Sequence, residues 1–349
     1  MSVSQKEFGV SPKGEKIILY TISNERGMCV QVMNYGAILV KVTAPDKKGC
    51  LEDVVLGYDE PTPYFRNPSF FGATVGPNAN RTGGAQFQID GQVYRLDVND
   101  GENNLHSHIE KGYHKRMWHA QTGENSVCFS IKDEDGSLGF PGNKEISVTY
   151  KLTDNGRLEL HYHGESDKKT VLNMTNHSYF NLEGQGNGNI ENHTLWLNAS
   201  CYTPVVPGAI PTGEIVPVAG TPMDFTVPQK VGKRIRDEFE QLKLTGGYDH
   251  NWVIDGYDGS VRLFAEVKAP ESGRVLRAYT NLPGVQFYAG NFIEPETGKD
   301  GARYGARSGL CLETQFYPDT ANKPEFPSAV FGPDRIYDYM TVYEFSVEE

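Results

Sequence analysis

Ile146-Ser147-Val148-Thr149-Tyr150-Lys151-Leu152-Thr153-Asp154-Asn155-Gly156-Arg157-Leu158-Glu159-Leu160-His161-Tyr162 decides the fold class. Ile146, Val148, Tyr150 and Leu152 alternate with polar residues, and Leu158, Leu160 and Tyr162 do so again after a Thr-Asp-Asn-Gly turn. An apolar period of two that resumes beyond a turn signal is a β-hairpin with one buried face. The same pattern recurs outward from it. Phe87 and Ile89 lead through Asp90-Gly91 to Tyr94 and Leu96, a second hairpin. Ala265 and Val267 reach Glu271-Ser272-Gly273 before the strand Val275–Tyr279, and Tyr339 to Val347 alternates as well. Helical periodicity is confined to Lys233–Leu242, where Ile235, Phe239 and Leu242 recur at i, i+4 and i+7. Without a βαβ rhythm, a parallel α/β fold is excluded in favour of an all-β, antiparallel architecture with few short helices.

Composition agrees. Of the 349 residues, 38% are hydrophobic and 22% charged, enough apolar content for a core, while 38 glycines and 20 prolines supply the turns that many short strands need. No repeat, low-complexity stretch or linker divides the chain. The 45 acidic residues outnumber the 33 basic ones, a net charge of −12 that opposes binding to nucleic acid or to an anionic membrane. A small neutral ligand suits it better.

The five cysteines (Cys29, Cys50, Cys128, Cys201, Cys311) are scattered and form no C-x-x-C, so neither a zinc knuckle nor a disulfide framework is expected. Lys6, Glu7, Lys13, Glu15 and Lys16 interrupt any signal-peptide apolar region, and runs such as Ala37–Val40 are too short to span a bilayer. Sequons begin at Asn80, Asn173, Asn176, Asn192 and Asn198, two of them inside candidate site motifs where a glycan would obstruct a pocket. A cytoplasmic protein with reduced thiols is the expectation.

Five segments join chemically able side chains to turns or strand ends: Asn78-Ala79-Asn80-Arg81, Asn104-Leu105-His106-Ser107-His108, Thr175-Asn176-His177-Ser178-Tyr179-Phe180-Asn181, Gly247-Tyr248-Asp249-His250 and Leu312-Glu313-Thr314-Gln315-Phe316. Taken singly, each is also an ordinary loop or strand edge. Together with Pro211–Ile215, Gly220–Phe225 and Gly284–Asn291, they run in the order of the aldose 1-epimerase (galactose mutarotase) family, and the chain resembles that family over nearly its whole length. The resemblance implies a β-supersandwich of antiparallel sheets, with residues 1–349 as one domain. It makes Glu313 the base and His177 the acid. Arg81, His106 and Asp249 would hold a hexose, with Asn80, Ser178, Tyr179 and Gln286 as further contacts.

Interconverting α and β anomers needs a proton taken from the C1 hydroxyl while another reaches the ring oxygen. Nothing is oxidised or transferred, so no cofactor and no metal is expected. A carboxylate and an imidazolium near its ordinary pKa of ~6.5 would serve as the pair. Burial among Leu310, Cys311, Leu312 and Phe316 would raise the pKa of Glu313, which suits a base. Phe287 or Tyr288 would cover an apolar sugar face. The expected partner is a small hexose, for a monomer or weak homodimer.

Two departures bear on sugar preference. Ser107-His108 stands where relatives carry two glycines, placing an imidazole near the cleft, and Pro77 restricts the loop before Arg81. His161 and His163 share a strand face but lack a third ligand, so a solvated face is expected there, and Gly184-x-Gly186-x-Gly188 precedes no helix and is a loop. A non-catalytic sugar-binding module, a glycoside hydrolase built on Asp249 and Glu313, and a phosphosugar epimerase are the competing readings.

Overall fold

The deciding hairpin forms as read. In the computed structural model, which describes residues 2–348, Lys144–Leu152 pairs antiparallel with Arg157–Ser166, and Leu152 lies opposite Leu158. Ile146, Val148, Tyr150, Leu152, Leu158, Leu160 and Tyr162 are all buried. These strands sit within a nine-stranded sheet ordered His119–Thr122, Ser126–Asp133, Lys144–Leu152, Arg157–Ser166, Tyr337–Val347, Arg274–Thr280, Arg262–Lys268, Thr194–Leu197 and Gln229–Lys230. The C-terminal strand therefore lies at its centre, joining the two halves of the sheet.

Two five-stranded antiparallel sheets pack on it. One is N-terminal: Ser2–Val10, Lys16–Ser23, Cys29–Met33, Ile38–Pro45 and Leu51–Asp53. The other runs Val216–Pro217, Cys201–Thr203, Asp249–Val253, Gly284–Tyr288 and Cys311–Gln315. Tyr20 of the first meets Phe129 of the large sheet edge to face at 5.7 Å, and Tyr343 of the large sheet donates its hydroxyl to the Leu312 carbonyl at 2.9 Å. One apolar cluster draws on all three sheets. The architecture is thus an antiparallel β-sandwich: the strands are those the alternation implied, and their stacking is the one the family resemblance implied. The second hairpin, Gln86–Ile89 with Gln92–Arg95, also forms; Asp90 and Gly91 take φ of 49° and 84°, the paired positive values of a tight hairpin turn.

The helix expected at Lys233–Leu242 is corrected. Val231–Lys233 is a single 3₁₀ turn and the α-helix covers only Glu240–Leu244. Arg234 donates its guanidinium to the carbonyls of Thr221 and Asp224, and Phe239 is extended at φ −112°, ψ 128°. Ile235 and Leu242 are buried all the same, so tertiary contacts satisfied the apolar spacing without a helix. A second short helix, Pro61–Arg66, lacked the length to show a periodicity; Pro61 starts it and left-handed Asn67 ends it.

The strand Thr175–His177 pairs with Ala73–Val75 and lies against Cys311–Gln315. Gly72 fixes that junction: its N–H donates to the His177 carbonyl at 3.1 Å, and its own carbonyl accepts from Asn176 at 3.0 Å. At φ 65° it occupies the left-handed region, and a Cβ would collide with the Leu39 carbonyl. Gly72→Ala should therefore lower the unfolding free energy by about 2 kcal/mol or more. Gly305→Ala, where a Cβ meets nothing within 4 Å, serves as the control. Equal urea midpoints for the two variants would contradict this account.

Candidate active site

Register builds the site. Across Asp249–Val253, Gly284–Tyr288 and Cys311–Gln315, Asp249 lies opposite Tyr288 and Tyr288 opposite Cys311; one step along, Asn251, Gln286 and Glu313 align. Strand alternation then sends Asp249, Asn251, Gln286, Tyr288, Cys311, Glu313 and Gln315 to one face, and His250, Trp252, Phe287 and Leu312 into the core behind. The polar face is buried yet cross-linked. Gln286 donates to Asp249 Oδ1 at 2.7 Å, and Gln315 donates to both Gln286 and Asn251 at 3.3 Å.

The facing wall comes from three short segments. His177 ends the strand Thr175–His177, with its ring between Phe70 (centroids 5.8 Å, 25° between planes) and Tyr179 (5.1 Å, 29°). Its Nε2 stands 3.5 Å from Glu313 Oε2, and its Nδ1 3.6 Å from the Cys311 sulfur. Arg81–Thr82 pairs with Asn104–Leu105, which brings Arg81 and His106 to the same rim. Arg81 donates Nε to Asp100 at 2.8 Å and holds Nη1 4.0 Å from Asp249 Oδ2. Asn80, at φ 60°, lies beside it.

These groups enclose a cleft of about 160 Å³, smaller than the roughly 300–1,000 Å³ of sites for drug-sized ligands, so a single-ring ligand fits it. A groove of about 700 Å³ near Tyr35, Phe65 and Lys111 is larger. Its most enclosed lysine, Lys115, is committed to the backbone carbonyls of Tyr64, Phe65 and Arg66. Only the smaller cleft joins a buried imidazole to a buried carboxylate.

Burial dominates the electrostatics. It depresses the His177 pKa to about 4, and it raises that of Glu313 well above the carboxylate range, with neighbouring Asp249 adding to the rise and Arg81 opposing it. Asp249 is raised for the same first reason, with Arg81 and Gln286 pulling it back. The imidazolium expected of His177 is therefore corrected for the ligand-free site: burial favours the uncharged form of each partner, with the proton on Glu313 rather than on the imidazole. Glu313 Oε2 has no hydrogen-bond partner in the protein, so an acceptor faces the cleft unsatisfied.

His106 Nδ1 accepts the Asn80 backbone N–H at 3.0 Å, which fixes its proton on Nε2, and burial pushes its pKa well below the usual value. That settles how His106, His177 and Glu313 read as a group. Their donor atoms lie within 4.8 Å of one another, near enough for a metal ion to bridge. A ligating imidazole, however, normally donates its outer N–H and keeps the inner lone pair free. His106 has the opposite arrangement and offers the cleft a donor.

Of the residues expected in the site, His177, Glu313, Asn80, Arg81, His106, Tyr179 and Asp249 line the cleft. Gln286 stands behind Asp249 and acts on it. Ser178 points away, its hydroxyl donating to Asn176, because it alternates with His177 and Tyr179. Phe287 is in the core, whereas Tyr288 lines the cleft. The imidazole of His108 is not beside the cleft; its Nδ1 accepts the Glu110 N–H at 3.1 Å. Ser107 holds φ 66° without glycine because its buried hydroxyl bonds both the N–H and the carbonyl of Asn78. His161 and His163 pair with Asp338 and Glu165 on an outer face.

Sequence reasoning missed Phe70, Asp100 and Phe292. Phe292 is 65% exposed at the cleft mouth, a large apolar ring with nothing over it. An aromatic with no apolar period around it left no signal in the sequence.

A family model for aldose 1-epimerase matches residues 19–344. The chain is similar to a galactose mutarotase from Bos taurus, 40% identical over 99% of both chains, and to an aldose 1-epimerase from Escherichia coli, 34% identical over 97% of this chain and 98% of that one. Among solved structures it resembles an aldose epimerase homologue from C. elegans (30% identity, TM-score 0.85, 95% and 99% covered) and a galactose 1-epimerase from Lactobacillus acidophilus (26%, TM-score 0.86, both chains fully covered).

The electrostatics predict a directly observable state. In ligand-free protein, the ¹⁵N ring signals of His177 should remain those of a neutral imidazole down to about pH 5.5. Protonation already complete at pH 6.5 would contradict the burial argument.

Proposed function

The chain belongs to the aldose 1-epimerase family and is an isomerase of sugar anomers; on that premise we propose how its own residues open and close a hexose ring. The observation that carries the proposal is the 3.5 Å approach of His177 Nε2 to the unsatisfied Glu313 Oε2 in a buried cleft. The C1 hydroxyl and the ring oxygen share one carbon, so a donor and an acceptor at that spacing each reach one of them.

The pair needs a single proton. In the reactive arrangement it sits on His177, leaving Glu313 ionised. Glu313 takes the C1 hydroxyl proton as the C1–ring-oxygen bond breaks, and His177 delivers its proton to the ring oxygen. The products are an aldehyde, a protonated Glu313 and a neutral His177, the same charge state that burial favours in the empty site. Rotation about C1–C2 presents the other carbonyl face. For reclosure His177 recovers the proton from the attacking hydroxyl and Glu313 returns one to O1. Every proton is accounted for within the pair and the sugar.

His106 offers Nε2–H, Arg81 its remaining guanidinium donors, and Asp249 an acceptor to neighbouring hydroxyls, while Asn80 and Tyr179 complete the rim. Phe292 and Tyr288 cover the apolar C–H face. Free galactose and glucose are the substrates we assign. We place the protein in the cytoplasm: its cysteines are unpaired, and the sequon residues Asn80, Asn173 and Asn176 are buried, where a glycan has no room. Among the described residues, no helix is long and apolar enough to cross a membrane.

Polarimetry on freshly dissolved α-galactose tests the assignment. Glu313→Gln and His177→Asn should each lower kcat by at least ~10²-fold while the protein stays folded. Wild-type decay in either variant removes that residue from its role. The pH profile of kcat/KM should be bell-shaped, because one proton must remain on the pair. A second proton enters only as pH falls through a value below the ordinary histidine pKa, since the His177 shift is downward. The single proton is lost only well above the carboxylate range, since the Glu313 shift is upward. An acid limb centred at or above pH ~6.5 would refute that sign.

A further inference from the structure

Arg81 is the cation whose charge opposes proton retention on both Glu313 and Asp249, yet it does not face them alone. Behind it, outside the cleft lining, Asp100 accepts Nε at 2.8 Å, the shortest polar contact the guanidinium makes. Arg81 is thus held between two carboxylates, Asp100 through Nε and Asp249 near Nη1, and its remaining N–H groups are left for a ligand.

Asp100 is itself anchored. The Asp100 N–H donates to the Asn103 carbonyl at 3.1 Å, and the Asn103 N–H returns a bond to the Asp100 carbonyl at 3.0 Å. Next to it, the Asn99 side chain bonds both the N–H and the carbonyl of Leu105. That ties the loop to the strand which carries His106 and pairs with Arg81. A half-exposed carboxylate would ordinarily be a surface group of little consequence. This one is fixed to the same two-stranded unit as the residue it holds, and its charge reaches the cleft, raising the pKa of Asp249.

We propose that Asp100 is a positioning residue for the epimerase reaction, aiming Arg81 at the sugar and damping the field that Arg81 exerts on the Glu313–His177 pair. The proposal rests on the reading that Glu313 and His177 share the working proton and that Arg81 contacts the substrate. The groups facing Glu313 are His177, His106, Asp249, Arg81 and Cys311, together with the hydroxyls of Tyr179, Tyr288 and Tyr343. Asp100 touches none of the sugar-facing atoms, so its influence passes through Arg81. With its charge removed, Arg81's positive field is less compensated, protons leave the pair more easily, and both limbs of the pH profile move to lower pH.

Three substitutions separate the effects. Asp100→Asn keeps an oxygen for Arg81 Nε but removes the charge, whereas Asp100→Ala removes both, and Asp100→Glu keeps the charge. With wild-type thermal unfolding as the check on folding, Asp100→Asn should shift both limbs of the kcat/KM profile down by about half a pH unit. Asp100→Ala should show that shift and raise KM for galactose about five-fold as well, with a smaller change in kcat. Asp100→Glu should leave the limbs in place. Superimposable pH profiles for wild type and Asp100→Asn overturn the charge effect, and an unchanged KM in Asp100→Ala overturns the aiming effect. Failure of the underlying reading looks different. It appears as undiminished activity in Glu313→Gln or His177→Asn at a single pH, and it would take this proposal with it.

Discussion

Two carboxylates buried on one face of one sheet, with a guanidinium beside Asp249, set the terms for everything around the cleft. Glu313 and Asp249 lie on strands separated by a third, close enough that Asp249 raises the proton affinity of Glu313, and burial raises that of both. Such an arrangement is destabilising unless the charges are paired, bonded or neutralised. Asp249 is bonded by Gln286 and faces Arg81, and Gln286 is in turn held by Gln315. Glu313 is left with an unsatisfied oxygen, and the protein answers with a proton rather than a hydrogen bond. The folded scaffold thereby maintains a carboxyl group with a proton affinity raised above that of a solvated one, as a general base in a cleft requires.

The scaffold also fixes the partner of that carboxyl. His177 is clamped between Phe70 and Tyr179 on a strand whose position depends on Gly72, and the aromatic surroundings are what lower its pKa. Desolvation thus acts on both members of the pair in opposite directions, and the sum is one proton shared by two groups. Ring opening and closure need no more than that. His106 contributes a donor because a backbone N–H occupies its other nitrogen, and the same bond leaves it poorly suited to ligating a metal.

Much of this was legible in the sequence. The hairpin through Tyr150 and Leu160 carried the fold class because period-two alternation on a half-buried strand is a direct imprint of strand geometry. Motif order gave the cleft-lining His177, Glu313, Arg81, His106 and Asp249. What was illegible came from three-dimensional pairing. The i, i+4, i+7 spacing of Ile235, Phe239 and Leu242 reads as a helix, yet burial alone, supported by Arg234 reaching two carbonyls, also satisfies it. Alternation within the motifs turns Ser178 away from its cleft-lining neighbours His177 and Tyr179, and between Phe287 and Tyr288 it selects Tyr288 for the cleft. The same alternation in Asp249–Val253 and Cys311–Gln315, polar residues at every second position of buried strands, is the imprint of a sheet with one polar, cleft-forming face. His108 and Asp100 depend on loop closure between distant segments, and no periodicity encodes that.

The central claim is that C1 and the ring oxygen of the sugar lie against Glu313 and His177, and a crystal structure of the Glu313→Gln variant with galactose bound tests it most directly. The account predicts the C1 hydroxyl within hydrogen-bond reach of the side chain at position 313 and the ring oxygen facing His177 Nε2. Arg81, His106 and Asp249 should engage the other hydroxyls. A sugar seated with C1 at the mouth of the cleft beside Phe292, and a different carbon between His177 and position 313, would contradict it.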